Sequence, residues 1–246
     1  LTRFDLPTLT EALQTLHHLP TDASLEQLEE GNHPCTLRLA FEELVAHHLS
    51  LHLLRARVRT RAAPSLDNNG HFRQTLLANL PFQLTSAQQR VYAEIAADLC
   101  GTRPMQRLLQ GDVGSGKTVV AALSALQAIE SGYQVAVMAP TELLSEQHKN
   151  TFTHWLQPLE IQVTWLTGSL TKKKRKHALE NITTGNSALI IGTHALFQKD
   201  VEFVKLGLVI TDEQHRFGVH QRLALRNKGS QEGLYPHQLI IFRYSI

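Results

Sequence analysis

The sequence predicts an α/β fold: a mainly parallel sheet with helices on both faces, preceded by an α-helical segment. Three observations predict it. From about Leu80 onward, short apolar runs alternate with amphipathic helical stretches, the pattern of right-handed βαβ units. The run Gly111-Asp-Val-Gly-Ser-Gly-Lys-Thr118 matches GxxxxGK[ST] in full, with an apolar strand before it and a helical stretch after it. Residues 1–78, by contrast, read as helix and loop.

Taken in order, Leu9, Leu13 and Leu16 recur at helical spacing and stop near Pro20. Ser24–Glu30 reads as a short helix stopped by Gly31. From Cys35 to Arg61, the residues Leu37, Phe41, Leu44, Val45, Leu49 and Leu53 draw an apolar stripe of helical period. This helix ends in Arg55, Arg57, Arg59 and Arg61. Cations oppose the negative end of a helix dipole, and a cluster contacting phosphate is the alternative reading. Pro64–Gly70 has turn chemistry and reads as a linker, and the change of texture near Leu80 sets the expected boundary between residues 78 and 79. The predicted strands are Arg107–Gln110, Gln134–Ala139, Gln162–Leu166, Ala188–Gly192, Leu206–Thr211 and Gln238–Phe242. The helix Val119–Glu130 closes at Gly132, near its C-cap.

Composition narrows the class. The 246 residues are 42% hydrophobic and 19% charged, which suits a folded chain of one to two domains. Two cysteines without metal spacing, Cys35 and Cys100, fit a reducing compartment and point to the cytoplasm. No apolar run is long enough to span a bilayer. Leu1–Leu6 has no apolar core of a signal peptide and no starting Met, so the sequence reads as a piece of a longer chain. A net charge of +2 does not by itself announce a nucleic-acid partner. Among 14 histidines, His48 and His52 have a spacing that can grip a metal, but a surface pair is the simpler reading.

The chemistry concentrates in two places. In Gly111–Thr118 the glycines let backbone N–H groups turn inward to cradle phosphate oxygens, and the helix that follows points its positive end at the same spot. Lys117 places a point charge on the outer phosphates, and Thr118 offers a hydroxyl to Mg²⁺. Asp212-Glu213-Gln214-His215 follows the apolar strand Leu206–Thr211. Asp212, at the carboxyl end of that strand, is placed to hold Mg²⁺ directly or through water. Glu213 is expected to point elsewhere and to orient or deprotonate the attacking water.

These motifs, with Leu80–Gln88, Ala139–His148, Leu166–Ser169, Gly192–Phe197 and Asp212–Val219, resemble the RecG-type ATP-dependent DNA helicases of superfamily 2. The resemblance implies that residues 79–246 form the first RecA-like motor domain, of the P-loop NTPase class, using ATP and Mg²⁺. It implies a nucleotide site of Gly111, Asp112, Val113, Gly114, Ser115, Gly116, Lys117 and Thr118, with Phe82 and Gln88 against the adenine. Pro140, Thr141, Glu142, Thr167, Gly168, Ser169, Thr193 and His194 would line a DNA path. Gln214 and His215 would couple nucleotide to a neighbouring motor domain. Thr141 also reads as an ordinary helix N-cap. Lys172–Lys176 reads as a solvated helix face, with phosphate contact as the alternative.

The resemblance further implies a monomer acting on branched or forked DNA in repair and recombination. A wedge domain would precede residue 1 and a second RecA-like domain would follow the sequence, which departs at Ile241–Ile246 from the family's Thr-Ala-Thr-Pro segment. An arginine finger in that second domain is worth roughly 10³ to 10⁵ in rate. The chain alone is therefore expected to bind ATP·Mg weakly and hydrolyse it slowly. The alternatives are another superfamily 2 translocase, such as the transcription-repair coupling motor, and a non-catalytic ATP-binding fragment.

Overall fold

The computed structural model describes residues 5–21, 23–59, 61–67, 70–213, 228 and 233–244. They form two compact units, one up to Val58 and one from Arg59 onward.

The first unit is helical. Helix α1 (Leu9–His17) opens on a reciprocal cap: Thr8 Oγ1 accepts the Glu11 N–H, and Glu11 Oε2 accepts the Thr8 N–H at 2.9 Å. Helix α2 (Leu25–Glu29) is capped by Ser24, and α3 runs from Pro34 to Arg59. The apolar stripe expected to bury α3 does not do so. Leu37, Leu44, Leu49 and Leu53 are 45–69% exposed. Within this unit, α1 and α2 have nine and five residues and are too short to cover a helix of 26. The side chain buried instead is Arg38, which donates to Pro7 O at 2.9 Å and pairs with Glu42.

The second unit begins before the expected boundary. Pro64–Gly70, read as a linker, is over residues 64–67 a strap bonded to the sheet unit. Ala63 N–H donates to Thr102 O and Leu66 N–H to Leu99 O, both at 2.9 Å. Leu66 is fully buried, and Gln127 Nε2 donates to its carbonyl. Helix α4 (His71–Asn79) then adds Leu76 to the same core. His237 fastens the strap from below. Its Nδ1 accepts the Met105 N–H at 3.0 Å, so its proton sits on Nε2 and goes to Pro64 O at 2.7 Å.

All six predicted strands form: β1 (Gln106–Asp112), β2 (Gln134–Met138), β3 (Val163–Leu166), β4 (Leu189–Gly192), β5 (Leu206–Asp212) and β6 (His237–Tyr244). Their order is β1-β6-β5-β2-β4-β3, and every pairing between described strands is parallel. Strands β2, β4 and β5 are buried along their whole length, so side chains alternate between two cores. Val135 and Val137 pack on one face, with α4, α5 (Ser86–Leu99), α6 (Lys117–Glu130) and α7 (Glu142–Leu156). Ala136 and Met138 pack on the other, with Ala178 and Ile182 of α8 (Lys172–Thr183). Among the described residues no helix is long and apolar enough to cross a membrane.

Burial pushes the His237 imidazole below its ordinary pKa. The fold thus holds it neutral, and its stabilising effect is present above about pH 6.5 and lost as pH falls below that value. Urea unfolding between pH 7.5 and 5 should show His237→Gln destabilised by about 1–3 kcal/mol at pH 7.5. The variant should also lose less of its remaining stability on acidification than the native chain.

Candidate functional site

The carboxyl ends of the parallel strands share one edge, where functional groups of such sheets gather. β1 ends in the loop that opens α6. Gly114 and Gly116 have φ of +80° and +77°, the left-handed region that an L side chain resists. A Cβ on Gly116 would overlap Gln88 Nε2, and one on Gly111 would lie 2.8 Å from Ser115 Oγ. The loop closes around Lys117, whose ammonium donates to Gly111 O at 2.6 Å, to Asp112 O and to Ser115 Oγ. A cation is thereby held where the loop's amides and the start of α6 converge.

Gln88 serves two elements at once. Its Oε1 accepts the Thr85 N–H at 2.9 Å and completes the capping box of α5. Its Nε2 donates to Ser115 O at 3.0 Å and ties α5 to the loop.

Asp212 ends β5 and is fully buried. Its Oδ2 lies 2.8 Å from His148 Nε2. Glu213 follows with φ of +54°, unusual for a non-glycine, and its N–H donates to Ile241 O at 3.0 Å. The backbone turns between the two carboxylates, as expected of groups with different tasks.

A cleft of about 560 Å³ joins these parts. It is lined by Phe82, Gln88, Val113, Gly114, Gly116, Lys117, Thr118 and Asp212, all expected from sequence. Gly111, Asp112 and Ser115 belong to the loop without lining the cleft, and Glu213 does not line it either, although its chain neighbour Asp212 does. Sequence reading missed one wall: Gln147, His148, Thr151 and Trp155 of α7. Trp155 stands edge-on to Phe82, with ring centroids 6.5 Å apart. Positions 147, 148, 151 and 155 share one helical face, but that signal gains meaning only once α7 is known to start beside the loop.

The same edge carries the second expected group. Pro140–Glu142 follow β2, Thr167–Ser169 follow β3 and Thr193-His194 follow β4. Glu142 links two of these segments, accepting the Ser169 N–H at 3.1 Å and the Ser169 hydroxyl at 2.7 Å. Thr141 is the N-cap of α7 and accepts the Leu144 N–H. Thr193 Oγ1 is buried without a hydrogen-bond partner among the described residues. Gln214 and His215 lie outside the described residues. In the basic run, Arg175 is tied to Asp200 and Gln198, while Lys172, Lys173 and Lys174 are exposed in the first turn of α8. Cations there meet the positive end of the helix dipole, so the turn stabilises itself poorly.

The donor set suits Mg²⁺. The Thr118 hydroxyl and Asp212 carboxylate are hard oxygen donors, and no group of three or more His, Cys, Asp or Glu forms a metal cage among the described residues. Mg²⁺ commonly takes one or two protein oxygens together with substrate phosphates.

Residues 85–241 match the model of the DEAD/DEAH box helicase family. The chain is 56% identical over 233 residues to the ATP-dependent DNA helicase RecG of Haemophilus influenzae, covering 95% of this chain and 34% of that protein. It is 44% identical to RecG of Aquifex aeolicus, covering 97% of this chain and 30% of the relative. It therefore spans about a third of the length of the curated relatives it matches. The structure of RecG bound to a three-way DNA junction superposes with a TM-score of 0.77 at 36% identity, over 98% of this chain and 31% of that one.

Gly116→Ala places a methyl group against Gln88 in a left-handed backbone. Denaturant titration should show a loss of about 1–3 kcal/mol, and nucleotide titration should show weakened binding.

Proposed function

The chain belongs to the DEAD/DEAH box helicase family, and on that premise we propose that it supplies the ATP-binding motor unit of a RecG-type helicase acting on branched DNA. The observation that carries this reading is the convergence of the Gly111–Thr118 loop and the buried Asp212 on one cleft.

Each residue then has a task. The loop amides and the start of α6 hold the β- and γ-phosphates, and Lys117 leaves its carbonyl partners to neutralise them. Phe82 and Trp155 flank the base, with Gln88 at its edge. Thr118 and Asp212 hold Mg²⁺, which when bound neutralises charge building on the phosphate oxygens. Glu213 takes the proton of the water that attacks the γ-phosphorus as the bond to ADP breaks. The segments after β2, β3 and β4 contact DNA phosphates through hydroxyls, backbone N–H groups and the start of α7, a mode that reads no sequence. Branched DNA as the substrate rests on the match to RecG bound to a three-way junction.

In the 246-residue chain, Lys117→Ala should weaken binding of ATP·Mg by at least about tenfold, because a charge-assisted bond to phosphate is lost. In the full-length protein carrying this unit, forked DNA should stimulate ATP hydrolysis more than linear duplex, and Lys117→Ala should abolish the stimulation. A wild-type chain without nucleotide affinity would overturn the proposal. If Lys172–Lys174 meet phosphate, each change to Ala should lower the salt slope of DNA binding by about 1.

A further inference from the structure

The missed wall of the cleft carries a second piece of chemistry, resting on the ATP·Mg reading above. Asp212 and His148 are both buried, 0% and 6% exposed, and meet at 2.8 Å through Oδ2 and Nε2. In an aspartate the terminal torsion is broad, so rotamer preference alone does not fix the plane of the carboxylate. A buried hydrogen bond does fix it, and in low dielectric that bond is strong. The bond engages one oxygen, Oδ2, and so sets where the other one points.

The imidazole is itself held. Phe152, 1% exposed, lies edge-on to His148 at 6.4 Å between centroids. Phe152 also contacts Trp155 at 6.5 Å, and Trp155 faces Phe82 at 6.5 Å. One face of α7 thus runs rings from the proposed base end of the cleft to the carboxylate at its other end. An apolar residue of similar size at 148 would fill the space but leave Oδ2 without this donor.

We propose that His148 is the positioning residue for Asp212, presenting its carboxylate to the divalent cation that accompanies the nucleotide. His148 acts on the cation only through Asp212. A histidine that merely fills the core would affect nucleotide binding equally with and without the cation.

The test is binding of a fluorescent ADP analogue to the 246-residue chain, in EDTA and across a Mg²⁺ series. His148→Ala should raise the half-saturating Mg²⁺ concentration by about 10–100-fold, a loss well beyond any change of affinity in EDTA. His148→Gln, whose amide nitrogen reaches the Nε2 position, should restore most of the Mg²⁺ response, whereas the shorter His148→Asn should not. Should His148→Ala fail to fold by thermal melting, the Gln and Asn pair decides. A wild-type Mg²⁺ response in the Ala variant, equal losses in EDTA and Mg²⁺, or identical behaviour of Gln and Asn would each overturn the proposal. A wild-type chain that binds no nucleotide would remove the ATP reading itself, and the role of His148 with it.

Discussion

Parallel pairing governs where chemistry can occur in this chain. Because β1 to β6 run the same way, every strand delivers its carboxyl end to one edge of the sheet. The loop after β1 and Asp212 at the end of β5 stand on one stretch of that edge, and the segments after β2, β4 and β3 stand on the next. An antiparallel neighbour would have sent half of these groups to the opposite edge. The strand order, with β6 and β5 between β1 and β2, leaves room for a cleft beside the polar strip rather than on top of it.

Within that layout, a few bonds convert position into geometry. Gln88 ties α5 to the loop, so the cap of one helix sets the shape of the neighbouring phosphate cradle. Gly116 is where this close approach leaves no space for a side chain. Helix α7 spans the two regions of the edge. Its N-cap, Thr141, belongs to the polar strip, while His148 and Trp155 wall the cleft. One helix thus joins the strip to His148, the bonded neighbour of Asp212.

Local pattern was enough for much of this. Strands β2, β4 and β5 were legible because burial on both faces demands short apolar runs, and the Gly111–Thr118 loop because a left-handed loop demands glycine at fixed spacing. What depends on contacts between distant segments was not legible. Pro64–Asp67 has the composition of a linker, yet its carbonyl at Pro64 is fixed by His237, 173 residues away. The leucine stripe of α3 has helical period, but a period does not say whether a partner exists to cover it. His148 closes the Ala139–His148 stretch without a task of its own there, Trp155 lies in no motif, and that both wall the cleft follows from where α7 lies. Thr141 was legible as a helix N-cap, and its hydroxyl accepts the Leu144 N–H at the start of α7.

In the proposed function, one edge of the sheet holds nucleotide and nucleic acid in adjacent, separate regions. Amide hydrogen exchange on the chain, with ATP·Mg and then with forked DNA, tests it most directly. ATP·Mg should protect residues 111–118 and the cleft-facing turns of α7. Forked DNA should protect 140–142, 167–169 and 193–194. Protection of one common set by both ligands, or no protection of the 111–118 loop by ATP·Mg, would contradict it.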